Sequence, residues 1–181
     1  GDGLEVIYGK QSGAFERAAK NGKLYFCGGQ EVFYRAVTGI DEGTHDPEPL
    51  RNYKAYWSEA GVDRLKKQVT HIRACITQDG VILEEMAGFA PEDGEKEAKP
   101  LIRTKTRYYI HSGAIEIQCI VINESGLCTL PRIGRTFRLD KSFSKVTWYG
   151  RGPWENYCDR KDSALIGKYT DTVDGMHVPF I

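Results

Sequence analysis

No stretch of this sequence approaches the roughly 18 apolar residues that a membrane-crossing helix needs. The opening Gly1-Asp2-Gly3-Leu4 has neither the basic nor the apolar region of a signal peptide, although a longer parent could still be exported. Neither sign of charge dominates, since 25 Lys and Arg balance 25 Asp and Glu. Without a net field there is no long-range attraction for nucleic acid or an anionic membrane, and both are set aside as partners. Histidine is scarce: His45, His71, His111 and His177 form no HxxxH or HExxH arrangement, which speaks against a metal site made by this chain alone. Cysteine is scarce too, and its five copies (Cys27, Cys75, Cys119, Cys128, Cys158) contain no CxxC pair. An odd, widely spaced set is expected to be free and mostly buried thiols, which leans toward a reducing compartment without deciding between cytoplasm and periplasm.

What is present is strand-like alternation. Hydrophobic residues make up 40% and charged residues 28%, the balance of an ordinary globular domain, and 181 residues are enough for one sizeable core. Ile102, Thr104, Thr106, Tyr108 and Ile110 fall on one face of a run whose other face carries Arg103, Lys105, Arg107 and His111. Ile115, Ile117, Cys119 and Val121 repeat the pattern opposite Glu116 and Gln118, and Ser112-Gly113 between the two runs predicts a hairpin. Further strands are expected over Leu4–Tyr8, Lys23–Cys27, Val32–Arg35, Gln68–Ile76, Val81–Met86, Arg132–Leu139 and Lys145–Tyr149, separated by glycine-containing turns. About nine sequential strands predict an all-β antiparallel sandwich forming a single domain over residues 1–181. Helical spacing is confined to Tyr53–Leu65, and Pro91–Pro100, with six charges and two prolines, reads as an exposed connector.

Few residues suit chemistry. Retaining glycoside hydrolysis needs two carboxyl groups about 5–5.5 Å apart, one of them with a raised pKa. Glu84 and Glu85 are neighbours on a strand and point to opposite faces, while the Glu92–Glu97 cluster lies in a polar loop. Glu155 and Asp159, near Trp154 and Tyr157, fit better as hydrogen-bond acceptors in a tight connection. An epimerase-like sandwich would use a sheet-borne histidine and glutamate as acid and base, for which His71 and His111 are the candidates.

Two longer patterns carry a resemblance. Leu130-Pro131-Arg132-Ile133-Gly134, followed by Val146-Thr-Trp-Tyr-Gly-Arg-Gly-Pro-Trp-Glu-Asn-Tyr-Cys-Asp-Arg160, resembles the R-I-G strand and W-x-G-x-G-P-x-E-N-Y-x-D-R signature in the C-terminal small-chain domain of bacterial family 2 β-galactosidases. The likeness continues through Ala164–Tyr169 toward Met176–Phe180. Upstream, Phe33–Gly43 is similar to the family's F-x-R-A-P-T-D-N-D-x-G segment, with Val37 in place of proline, and Trp57 with Ala60–Leu65 resembles its W-x-x-A-G-L-D-R-L segment.

The resemblance implies a galactose-mutarotase-like sandwich, here truncated at its C-terminal edge, within a five-domain retaining enzyme. The family's barrel holds the catalytic glutamates and magnesium, with sodium a further candidate ion, so neither catalysis nor a cofactor is expected of this chain. It further implies that Asp41, Glu42, Gly43, Thr44 and His45 belong to a loop that closes over the galactoside, with Gly43 as hinge. Arg35, Trp57, Arg132, Gly152, Pro153, Trp154, Glu155, Asn156, Tyr157, Asp159 and Arg160 read as structural residues that pack this domain onto its surroundings. The expected partners are a β-galactoside reached through the parent, the other domains of that polypeptide, and further copies of it if the parent is a homo-oligomer. A freestanding carbohydrate-binding sandwich is the alternative.

Overall fold

The computed structural model describes residues 3–43, 52–92, 99–154, 156 and 161–177. It contains ten strands: β1 Leu4–Gly9, β2 Ala14–Lys20, β3 Lys23–Val32, β4 Leu65–Ile76, β5 Gly80–Pro91, β6 Ile102–His111, β7 Ala114–Asn123, β8 Gly134–Leu139, β9 Lys145–Gly152 and β10 Leu165–Thr172. Two short α-helices, α1 Gly39–Glu42 and α2 Tyr53–Glu59, and a 3-10 turn at Val62–Arg64 lie between β3 and β4. No helix among the described residues is long and apolar enough to cross a membrane. The chain divides into two compact units, Gly1–Arg138 and Leu139–Ile181.

The first unit is an antiparallel sandwich. One sheet has the order β1-β2-β3-β8 and the other β4-β5-β6-β7. Alternation decides which side chains enter: Ile102, Thr104, Thr106 and Tyr108 of β6 are buried while Arg103, Lys105 and Arg107 face out. The expected hairpin forms in the register that Ser112-Gly113 permits, His111 opposite Ala114 and Ile102 opposite Asn123. Phe15 of β2, Leu83 of β5 and Tyr108 of β6 form the centre of one core, with Val6, Phe26, Ile72, Ile117 and Phe137 against it. Its aromatic rings meet edge to face, Phe15 with Tyr108 at 5.2 Å and Phe15 with Phe26 at 5.5 Å. A second core gathers Phe33, Ala87, Phe89 and Ile102.

Several boundaries differ from the sequence-based expectation. β2 was not anticipated, because AFERAAK places small residues where a β-branched run would mark a strand. The strand expected at Val32–Arg35 ends at Val32, since the chain there must turn toward α1. The expectation of mostly buried thiols fails: of the four cysteines among the described residues, Cys75, Cys119 and Cys128 are exposed and only Cys27 is partly covered. Cys75 lies near the end of edge strand β4, Cys119 on edge strand β7 and Cys128 in a loop, where no neighbouring strand covers them. Cys158 lies outside the described residues.

The second unit is a two-stranded antiparallel hairpin, with Lys145 opposite Thr172 and Gly152 opposite Leu165. β10 is a strand that the sequence reading knew only as part of a family pattern.

Candidate functional site

The segment from Phe33 to Gly43 leaves β3 and is held by one arginine. The Arg35 guanidinium donates to both carboxylate oxygens of Asp41, at 2.6 Å to Oδ2 and 2.9 Å to Oδ1. Asp41 also accepts from the Thr38 amide at 2.7 Å and the Thr38 hydroxyl at 3.0 Å, which closes the first turn of α1. These donors outweigh the cost of burial: the Arg35 hydrogen bonds first, then Thr38, hold the Asp41 carboxyl below the usual carboxylate range.

Arg35 does more than pair with Asp41. Its Nε donates to the Pro131 carbonyl at 3.1 Å, and its guanidinium lies 5.8 Å from the Trp57 ring centroid. Trp57, buried in α2 and stacked with Tyr53, donates its indole N–H to the Thr129 carbonyl at 3.2 Å. Two residues of the family-like patterns thus grip the backbone that leads into a third, Leu130–Gly134. Arg132 itself is exposed.

α1 ends one residue past Asp41, at Glu42. Glu42 is exposed and paired with Lys54 of α2 at 2.7 Å, a contact that surface screening makes weak. Gly43 has φ 80° and ψ 167°, a combination open to glycine and strained for any other residue. Thr44 and His45 lie outside the described residues.

The signature of the second unit is built as a supported bend. Trp148 and Tyr169 have ring centroids 5.5 Å apart, and a Cβ on Gly152 would lie 2.7 Å from the Tyr169 ring, so only glycine fits beneath it. Arg151 ties the connection together by donating to the Lys161 and Ala164 carbonyls at 2.6 and 2.9 Å. Pro153 follows a cis peptide bond, Trp154 is 69% exposed and Asn156 is exposed. Glu155, Tyr157, Asp159 and Arg160 lie outside the described residues.

Sequence reasoning missed the most heavily charged part of the interior. Lys67 of β4 places its ammonium 2.8 Å from Glu31 Oε2 of β3 and 2.7 Å from Glu85 Oε1 of β5, and donates to the Gly13 carbonyl at 2.7 Å. Arg135 of β8 pairs with the other Glu31 oxygen and donates to the Gly29 carbonyl at 2.7 Å, the Tyr108 hydroxyl at 2.9 Å and Thr106 at 2.9 Å. Tyr8 of β1 donates to Glu85 Oε2 at 2.8 Å and its hydroxyl lies 3.0 Å from that of Tyr108. Burial, then Tyr108 and Glu85, push the Tyr8 phenol far above its ordinary pKa. Burial opposes the Arg135 charge, but Glu31 and Tyr108 outweigh it and hold the guanidinium protonated. A signal was present: Glu85 shares the face of Leu83, Ala87 and Phe89, a carboxylate in an otherwise apolar alternation.

Glu84 and Glu85 do face opposite ways, Glu84 outward to Arg107 at 2.9 Å and Glu85 into this cluster. Glu31 and Glu85, however, come close enough to share one ammonium, a carboxylate pair that the sequence did not disclose. Their side chains are 2% and 0% exposed and both face the Lys67 ammonium, so the pair braces the two sheets. His71 is exposed on β4, and His111 lies 3.0 Å from Glu116 at the end of β6. Among the described residues no group of three or more His, Cys, Asp or Glu converges as a metal site.

Residues 1–181 match the family described as beta galactosidase small chain. The chain belongs to that family. It is 35% identical over 179 residues to a β-galactosidase of Vibrio cholerae, covering 96% of this chain and 17% of the relative. A β-galactosidase of Psychromonas ingrahamii is 32% identical over 183 residues, covering 98% of this chain and 17% of its own length. One from Pseudoalteromonas haloplanktis is 29% identical over 184 residues, with 98% and 17% covered. The chain therefore spans about a sixth of the length of these relatives. Within the β-galactosidase small chain, the Arg35–Asp41–Trp57 clamp and the Gly152 bend give physical content to the family-like motifs.

Two outcomes follow from these geometries. Lys67→Met leaves two buried carboxylates without their shared cation and should cost about 3–5 kcal/mol of unfolding free energy in urea titrations. Adding Glu85→Gln should cost less than the sum of the two single changes, because the pair acts as a unit. For Asp41, a carboxyl pKa below its unfolded value of about 3.9 contributes stability above that pH and loses it as pH falls through the folded value. Asp41→Asn should thus lower thermal stability at pH 7, and the gap from the parent chain should narrow as pH falls below about 4.

Proposed function

We propose that this chain is an accessory domain of a retaining β-galactosidase, an enzyme that hydrolyses terminal β-D-galactosides such as lactose. In this reading Asp41, Glu42 and Gly43 form the anchored end of a segment bordering the galactoside, while the catalytic carboxylates and the magnesium site lie in other domains of the same polypeptide. The observation that carries the proposal is the match of the entire chain to the small-chain family together with β-galactosidase relatives about six times longer. Those lengths favour a part of a larger enzyme over a freestanding carbohydrate-binding module. The parent's assembly into homo-oligomers is part of the same proposal.

The geometry suits a hinge. Arg35 holds α1 through a bidentate ion pair, so a loop that closes would pivot beyond Asp41. Gly43 is the first such position, and its backbone angles exclude a side chain without strain of about 1–3 kcal/mol. Closing over a bound sugar would exclude water and strengthen the electrostatic interactions that stabilise charge in the transition state. A segment that acts this way contributes binding energy unequally to ground and transition states.

Two experiments bear on the proposal. In the full-length enzyme, Gly43→Ala should change kcat and KM unequally and alter the affinity for a transition-state analogue, whereas unchanged kinetics would reduce the segment to a surface turn. The 181-residue chain alone should release no chromogenic product from a nitrophenyl galactoside with magnesium present. Turnover that survives repurification and vanishes with Glu31→Gln or Glu85→Gln would place a catalytic pair in the sandwich core instead.

A further inference from the structure

The first unit carries a groove of about 430 Å³ between the turn after β1, the end of β3 and the start of β4. We infer that this groove, which the Asp41 segment enters only through Phe33 and Tyr34, is a binding site for a neutral saccharide. The inference does not depend on the accessory role proposed above.

Charge first narrows the ligand class. The ionised groups on its wall are two acids, Glu31 and Asp63, and two bases, Lys66 and Lys67. Each has a partner already: Lys67 lies between Glu31 and Glu85, Lys66 lies 3.4 Å from Glu92, and Asp63 accepts from Ser58 and Arg64 at 2.9 and 2.8 Å. A phosphate, sulfate or ammonium ligand would find no uncompensated charge, and would have to displace one of these pairs.

The uncommitted polarity is of a different kind. Gln11 and Gln30 are exposed on the groove wall, and their side-chain amides make no hydrogen bond among the described residues. A primary amide offers donors and an acceptor from one plane, which matches the paired donor and acceptor of adjacent sugar hydroxyls. The Ser12 hydroxyl beside them makes only a long 3.4 Å contact to the Gly9 carbonyl. Val32, Tyr34 and Leu65, all half-buried, supply an apolar wall for the C–H face of a pyranose ring. The volume falls in the range of small-ligand sites, about 300–1,000 Å³, and accommodates one or two hexose units. Glu31 and Lys67 hold the base rigid, so the walls are organised before a ligand arrives.

The test is a titration of the 181-residue chain with methyl β-D-galactoside and with lactose, followed by saturation-transfer NMR, with sodium sulfate as the charged comparison. Saturable binding of at least one sugar, with a Kd below about 100 mM, is expected. Gln11→Ala and Gln30→Ala, both exposed changes that leave the core intact, should each weaken it at least fivefold and together abolish it. Absence of saturation with both sugars, binding that persists in the double variant, or competition by sulfate would each overturn the assignment. Absence of a Gly43→Ala effect in the full-length enzyme would reduce the Asp41 segment to a surface turn and leave this assignment standing.

Discussion

The ammonium of Lys67, between the carboxylates of Glu31 and Glu85, is the contact on which the sandwich most depends. Removing any of these ions from water costs several kcal/mol, and mutual attraction offsets that cost only when nearly every donor and acceptor is used. Here the cluster draws on six strands, with Tyr8 from β1, Glu31 from β3, Lys67 from β4, Glu85 from β5, Thr106 and Tyr108 from β6, and Arg135 from β8. Two acids and two bases cancel in charge, and the Tyr8 hydroxyl donates to the Glu85 oxygen that Lys67 does not face. Three strands of one sheet are thereby tied to three of the other through directional contacts. Apolar packing around Phe15 and Tyr108 supplies area, whereas the ions allow only one register to satisfy them.

The Arg35 clamp uses the same economy at the rim. A single guanidinium serves a carboxylate, a distant carbonyl and an aromatic face, and so ties α1 to α2 and to the strand-entry segment at Pro131. Motif residues far apart in sequence turn out to serve one another's backbone: Arg35 and Trp57 hold Thr129–Pro131 in place. Gly43 lies two residues past Asp41, in a backbone conformation that only glycine adopts without strain. In the second unit the exposed Trp154 contrasts with Trp148, whose ring is packed on Tyr169, so the two tryptophans of the signature have different work.

Much of the fold was legible because β-strand burial has a period of two. The inward Ile102, Thr104, Thr106 and Tyr108, the Ser112-Gly113 hairpin and the short helix near Trp57 were all readable from local pattern. β2 was hidden by its alanines, and the exposed cysteines were misjudged because residue type reports average burial and cannot tell an edge strand from a central one. The family-like motifs identified Arg35, Trp57, Gly152 and Gly43 as positions of interest. They did not say which contacts those residues make.

Local pattern by itself determined the all-β class, the faces of the strands and membership of the small-chain family, because alternation and motif spacing are properties of neighbouring residues. Only the tertiary structure decided that Glu31, Glu85, Lys67 and Arg135 meet, since they lie on four different strands, and nothing within any one strand encodes its partner across the sandwich. The same holds for the groove that brings Gln11 and Gln30 to the start of β4. Contacts between sheets depend on how whole strands are ordered and stacked, a long-range outcome of packing that short-range periodicity constrains but cannot specify.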